Sequence, residues 1–325
     1  MPCRHPHGPD HRRRAAVRLA VGLIGCGPWG RNILRDLITL DAEVFVCDVS
    51  AEHRSAALAA GCTAVYENPE DLPEVAGIVV ATATSTHAAM LDRIVARGVP
   101  AFVEKPMCND LDAAVGLVAA WGDRLFVMDK WRYHGGITLL GELARSGRLG
   151  DIIGLKTTRL GSRNSHPDVD GAWILAPHDL SIAAEILGTV APLISAVGHV
   201  EHGDRVQSAV ALMGAIGAPW HVMDVSNNFP GHRREVVVLG STASATLPGS
   251  ESDHVEVHDH SGTERIAFTA EQPLLAELRC FLGYLTGGPA PITNAREGAI
   301  TVRRIAEIRQ HILDRQSPAS MEQRN

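Results

Sequence analysis

Gly25, Gly27 and Gly30 stand in the order G-x-G-x-x-G, within Gly25-Cys26-Gly27-Pro28-Trp29-Gly30. The three glycines serve different ends. The first permits a tight turn, the second lets the backbone approach a diphosphate, and the third lets a helix pack closely on a strand. With a helix N-terminus behind it, such a loop, Pro28 and Trp29 included, suits a dinucleotide pyrophosphate. Asp48 lies 21 residues beyond Gly27, where an acid reaches an adenosine ribose, so NAD(H) is favoured. Two other readings of this corner stay open. Asp48 could cap the following helix, and Arg54 could receive a 2′-phosphate, which makes NADP(H) the alternative cofactor. A third candidate is Lys105, in Glu104-Lys105-Pro106. Only Lys105, Lys130 and Lys156 among 30 basic residues are lysines, so each merits attention.

The elements that must position these residues alternate. Apolar runs of strand length at 17–24, 43–47, 77–81 and 101–104 are separated by helical patterns beginning at Arg31 and spanning 51–60 and 87–97. Such alternation predicts a doubly wound parallel sheet of the Rossmann type. Ligands collect at the carboxyl ends of its strands, so Thr82, Thr84, Ser85 and His87 after one strand, and Glu104 and Lys105 after the next, are expected to face the cofactor.

Four segments in order give the chain its likeness to a known family: Gly25 to Gly30, Ala81-Thr82-Ala83-Thr84-Ser85-Thr86-His87, Glu104-Lys105-Pro106-Met107, and Trp131-Arg132-Tyr133-His134. With these it resembles the Gfo/Idh/MocA family of NAD(P)-dependent oxidoreductases, over almost the whole length from Val17 to Arg315. The resemblance implies hydride transfer to or from a secondary alcohol or ketone carbon of a sugar, amino sugar or cyclitol. It assigns to Lys105 the contact with the reacting oxygen. An ammonium there could donate to a carbonyl, and an amine made neutral by burial could accept an alcohol proton. Glu104 is expected to orient Lys105, and Pro106 to stiffen the turn. The family's second element is an Asp, three residues, then His. Here His178 matches and Ile174 occupies the Asp position, so the proton relay lacks its usual carboxylate. Asp179 and Asp170 are the nearby acids, Asp179 divided between substrate contact and helix capping. Imine reduction and a non-catalytic cofactor-binding protein are the alternative functions.

Strands outnumber helices in the second half. Helical patterns at 137–146 and 178–187 and strand-like runs from 152–160 to about Phe268 predict an α+β domain whose large open sheet is mostly antiparallel. The resemblance places the stretch 161–166 near substrate, where Arg163 could grip a polar or anionic group or belong to an ordinary surface loop; Tyr133, at the domain junction, could touch substrate or merely pack, and the sheet face is implied to be a homodimer or homotetramer interface. His254, Glu256, His258 and His260 alternate along one strand face; a solvated face explains them as well as a metal does, and no metal is expected. Helices at 274–285 and 294–314 close the chain, the latter packing back near the first half.

The expected organisation is therefore a disordered basic tail at 1–16, a nucleotide-binding domain at 17–130, a substrate-binding and oligomerisation domain at 131–292, a helix at 293–315 and a tail at 316–325. Composition agrees with a soluble globular chain: 325 residues, 45% hydrophobic and 21% charged. A net charge of −7 argues against nucleic acid, and no membrane partner is expected. Arg12-Arg13-Arg14 and the apolar run ending at Cys26 imitate a lipoprotein signal, but Arg18 interrupts the run and cleavage before Cys26 would cut the glycine motif. Six scattered cysteines without a C-x-x-C pair fit a reducing cytoplasm.

Overall fold

The computed structural model describes residues 18–162, 167–269 and 271–316. The predicted terminal tails, apart from Gln316, and Arg163 lie outside the described residues. The first half runs β1 (Ala20–Ile24), α1 (Gly30–Thr39), β2 (Glu43–Cys47), α2 (Ala51–Ala59), β3 (Ala64–Tyr66), β4 (Gly77–Val80), α3 (His87–Ile94), β5 (Ala101–Glu104), α4 (Leu111–Trp121) and β6 (Leu125–Met128). Its strands form one parallel sheet in the order β3-β2-β1-β4-β5-β6. β4, β5 and β6 are buried along their whole length, as expected of strands covered by helices on both faces. α1 buries Gly30, Ile33, Leu34 and Leu37, one face of a 3.6-residue repeat.

The second half runs α5 (Gly135–Arg145), β7 (Ile152–Ser162), α6 (Gly171–Leu187), β8 (Leu193–Glu201), β9 (Arg205–Met213), β10 (Trp220–Ser226), β11 (Asn228–Gly240), β12 (Ala243–Leu247), β13 (His254–Asp259) and β14 (Gly262–Ala267). These strands form an eight-stranded sheet, β14-β13-β12-β11-β7-β10-β9-β8. It is antiparallel except where β10 lies parallel to β7. β10 alternates between half-buried and buried residues, so one face packs inward. The outer face leaves Ile194, Val197, Val210 and Leu212 exposed.

α6 corrects one expectation. It starts at Gly171, seven residues before the predicted start at His178, because Asp170 caps it by accepting the Trp173 N–H at 3.3 Å. Pro177 therefore lies inside the helix. α6 is apolar almost all round because it is enclosed between the second sheet and the rest of the molecule.

Two helices follow, α7 (Pro273–Leu285) and α8 (Ala295–Gln316). The sequence expectation groups the first of these with the second half, yet Leu278 and Phe281 of α7 pack into the core of the first sheet, Phe281 with its ring 5.0 Å from Phe102. α8 contributes Val302, Ile305, Ile308 and Ile312 to a core that runs from Val80 and Val103 through α4 to α6, β9 and β10. The two sheets thus share packing. No described helix is long and apolar enough to cross a membrane.

Candidate active site

The glycine loop fills the turn between β1 and α1. The Gly25 N–H donates to the Cys47 carbonyl at 2.8 Å, and Gly25 adopts a φ of +91°, which glycine tolerates without steric cost. A Cβ at Gly25 would lie 2.6 Å from the Ala81 oxygen, and one at Gly30 would lie 2.2 Å from the Gly25 oxygen. These two glycines are required by the fold itself. Gly27 is different: the nearest atom to a Cβ there is His53 Cε1, at 3.7 Å. Its bare backbone faces the cleft. Trp29, at the N-cap of α1, makes no side-chain capping bond, and no acid lies in the first turn, so the positive end of the helix is left uncompensated toward the cleft. That cradle fits a diphosphate.

Asp48 ends β2 at the same side. Its carboxylate accepts N–H bonds from Cys26 at 2.7 Å and Ser50 at 2.8 Å, and lies 3.2 Å from His53 Nδ1. Ser50, not Asp48, caps α2, accepting the His53 N–H at 3.3 Å. Arg54 is committed elsewhere: it donates to the carbonyls of Asp48 and Val49 and to Glu67.

At the next strand ends Thr82, Thr84, His87, Glu104 and Lys105 all line the same cleft. His87 is buried between the Pro106 carbonyl at 2.9 Å and the Thr82 carbonyl at 3.1 Å, tying two strand-end loops together. Burial holds its imidazole below the ordinary histidine range. One Glu104 oxygen accepts the Lys105 backbone N–H at 3.0 Å and the other accepts Trp29 Nε1, so Glu104 fixes the backbone from which Lys105 projects. Lys105 Nζ donates to the Ile174 carbonyl of α6 at 3.3 Å. Burial lowers its pKa from the usual lysine value, against the pull of Glu104.

α6 thus brings the second half to the cleft. Ile174 and His178, one helical turn apart, both line it with Lys105. His178 is held uncharged, well below the ordinary range, first by burial and then by Lys105, Arg159, Lys130 and Arg234. Among the described residues its buried Nδ1 has no partner. Asp179 turns the other way. Placed mid-helix and only 1% exposed, it pairs with Arg159 at 2.5 Å and does not line the cleft, so it is neither a cap nor in place to touch substrate there. Asp170 is also occupied, receiving the Val206 N–H and Arg309 besides its capping bond. Tyr133 packs outside the cleft, its hydroxyl accepting the Ile292 N–H at 3.0 Å.

Three neighbours escaped sequence reasoning. Lys130 lines the cleft with its Nζ 4.5 Å from the Trp29 ring centroid; the rarity of lysine was its only signal. Asp129 directly follows β6, whose Met128 pairs with Glu104, so the parallel register sets Asp129 beside Lys105. Burial pushes its carboxyl up to about 7. Glu277 of α7 is fully buried with neither oxygen bonded among the described residues, and burial plus Glu104 and Asp129 push it well above the carboxylate range. A fourth residue, Asp168, accepts the Ser85 N–H at 3.1 Å across the cleft. The cleft holds about 1020 Å³, ample for a dinucleotide with a small substrate. Along β13, His254 and Glu256 pair with each other and with Asp253 and Arg265; among the described residues no group of three ligating side chains converges.

Comparison with known proteins bears on the fold and on the family likeness. A family model described as "Oxidoreductase family, NAD-binding Rossmann fold" matches residues 19–124. The chain is 35% identical over 146 residues to inositol 2-dehydrogenase of Ralstonia nicotianae, an alignment covering 41% of this chain and 43% of that protein. It is 27% identical over 285 residues to D-apiose dehydrogenase of Paraburkholderia graminis, covering 79% and 74%. The solved UDP-N-acetylglucosamine 3-dehydrogenase of Acidithiobacillus ferrooxidans superposes with a TM-score of 0.80 at 22% identity, over 91% of this chain and 98% of that one, which establishes the shared fold.

Proposed function

We propose that the chain belongs to the Gfo/Idh/MocA family of oxidoreductases and moves hydride between NAD(H) and a secondary alcohol or ketone carbon of a sugar, amino sugar or cyclitol. The observation that carries this reading is one continuous cleft, with the bare backbone of Gly27 at one end and Lys105 beside His178 at the other. The nicotinamide, when bound, gives or takes the hydride. Gly25, Gly27, Pro28, Trp29 and Gly30 would hold the diphosphate, and Asp48 the adenosine ribose. Arg54 is already bonded to two carbonyls and Glu67, which supports NAD(H) over NADP(H).

Lys105 is the group that exchanges a proton with the reacting oxygen. Its burial lowers the cost of the neutral amine, which accepts the alcohol proton in oxidation; the ammonium donates to the carbonyl in reduction. The Ile174 carbonyl steadies Nζ. His178 stays neutral and offers the substrate a hydrogen-bonding nitrogen. Ile174 excludes water beside them without contributing a charge. Two further features support finer points: the apolar outer face of β8 and β9 suits pairing of identical subunits, and all five described cysteines are free thiols, as in a reducing compartment such as the cytoplasm.

The test compares NADH binding with turnover. Lys105→Ala is expected to keep NADH affinity within about twofold and to lose roughly 10²- to 10⁴-fold in kcat toward a polyol or ketose substrate. Retained turnover removes Lys105 from the chemistry. NADH binding with no turnover of alcohols, ketones or imines by the wild type would favour a binding-only protein, whereas turnover of imines alone would assign C=N reduction.

A further inference from the structure

Between Asp48, at the end of β2, and the bare backbone of Gly27 stands a side chain to which the proposed function gives no task. His53 lies in the first turn of α2, its N–H bonded to the Ser50 hydroxyl at 3.3 Å. From there the ring reaches back past the start of its own helix, as side chains in a first turn can. Its Nδ1 lies 3.2 Å from each oxygen of Asp48. Its Cε1 lies 3.7 Å from the place that a Cβ on Gly27 would take. The ring therefore spans from the carboxylate to the glycine loop along the wall of the cleft, with 35% of the side chain exposed to it.

Hydrogen-bond inventory decides what this ring offers. An ionised carboxylate only accepts, so Nδ1 carries a proton, and the neutral ring then presents Nε2 as an acceptor. Nε2 is joined to Cε1, the atom nearest Gly27, and among the described residues it makes no hydrogen bond. Asp48, meanwhile, is partly spent. Of its roughly four lone-pair sites, the N–H groups of Cys26 and Ser50 take one on each oxygen, and the shared Nδ1–H draws on the rest. An adenosine ribose brings hydroxyl donors at C2′ and C3′, more than the remaining capacity of Asp48 receives well. Nε2 is the spare acceptor at the same place.

Resting on the oxidoreductase reading above, we infer that His53 binds the dinucleotide directly: its Nε2 accepts a hydrogen bond from one hydroxyl of the adenosine ribose while its Nδ1–H holds Asp48. The carboxylate and the imidazole then read the ribose together, one hydroxyl each. A ring protonated on both nitrogens would instead donate to a cofactor phosphate, and the test separates the two.

The experiment is equilibrium binding to the full-length protein, read by nicotinamide fluorescence at about pH 8.5, well above the ordinary histidine pKa of about 6.5. The probes are NADH, NADPH and the forms of NADH that lack the 2′- or the 3′-hydroxyl on the adenosine ribose. His53→Ala is expected to weaken NADH about three- to tenfold. With one deoxy form the variant and the wild type should bind equally; with the other the loss should persist. His53→Phe, which keeps the ring's shape without its nitrogens, should repeat this pattern, and His53→Gln, whose amide oxygen still accepts, should recover part of the affinity. Unchanged NADH affinity, or a loss shared equally by all four probes, overturns the inference and leaves the oxidoreductase reading standing. So does a loss that fades with both deoxy forms alike, which would make the ring only a support for Asp48, and a loss larger for NADPH than for NADH, which would make Nε2 a donor to phosphate. If the wild type binds neither dinucleotide, the oxidoreductase reading falls first and this inference with it.

Discussion

The two ends of the cleft are built on opposite terms. At the glycine loop, the Gly25 N–H is bonded to the Cys47 carbonyl, and both oxygens of the Asp48 carboxylate are engaged inside the protein. At the α6 end, His178 Nδ1, Asp129 Oδ1 and both Glu277 oxygens are buried without a partner among the described residues, and there too neither Lys105 nor Lys130 forms an ion pair. Unanswered buried polar groups are costly, and sites of chemistry are where that cost is tolerated. One end is therefore governed by the shape of its backbone, and the other by buried polar and charged groups that the described residues leave without partners.

Breaking the buried Arg159–Asp179 pair tests the charge-governed end most severely. Arg159→Met leaves Asp179 ionised and alone, and is expected to cost about 3 to 5 kcal/mol of stability by urea unfolding. Adding Asp179→Leu should restore most of it; a single-variant loss well under about 1 kcal/mol, as for an exposed pair, would show that charge matters no more here than elsewhere.

Shape at the other end is tested by two alanines. Gly27→Ala has room for its methyl in the free protein, so the thermal midpoint should hold while NADH affinity falls about tenfold or more. Gly30→Ala should instead lower the thermal midpoint, because its Cβ would meet the Gly25 oxygen. Undiminished NADH binding by Gly27→Ala would remove the loop from the diphosphate.

Acid gives the finest discrimination. The folded-state pKa of His178 is depressed, so below about pH 6.5 the unfolded chain binds the proton that the folded chain refuses, and stability falls as pH falls. His178→Gln should flatten that decline by up to about 1.4 kcal/mol per pH unit below pH 6.5, and change little above pH 7.5. Parallel acid profiles for wild type and variant would mean that His178 is charged in the folded protein.

The same contrast decides what can be read from the sequence. The glycine loop, Asp48 and the strand-end residues are local: a short stretch fixes each position, and the alternation of strand and helix fixes the layer. The start of α6 is misplaced by sequence alone because Pro177 would ordinarily stand at or before a helix start, whereas the true cap, Asp170, is identified by a bond to Trp173 and another to Val206 that the folded chain supplies. Asp129 and Glu277 carry no motif, and their altered acidity arises from burial by residues distant in sequence. The strand Leu125–Met128 and the helix before it escape notice for a similar reason: they bear no chemical signature, only packing.

Phe281 against Phe102, and a bond from the Val127 N–H to the Thr293 carbonyl, mean that the first sheet is completed by residues that follow the whole second sheet in sequence. During synthesis, six strands are translated long before the helix that covers one of their faces leaves the ribosome. The nascent nucleotide half must wait, part of one apolar face uncovered, until the second sheet and α7 have been made, which makes it a natural client for chaperones that shield greasy surfaces on unfinished chains.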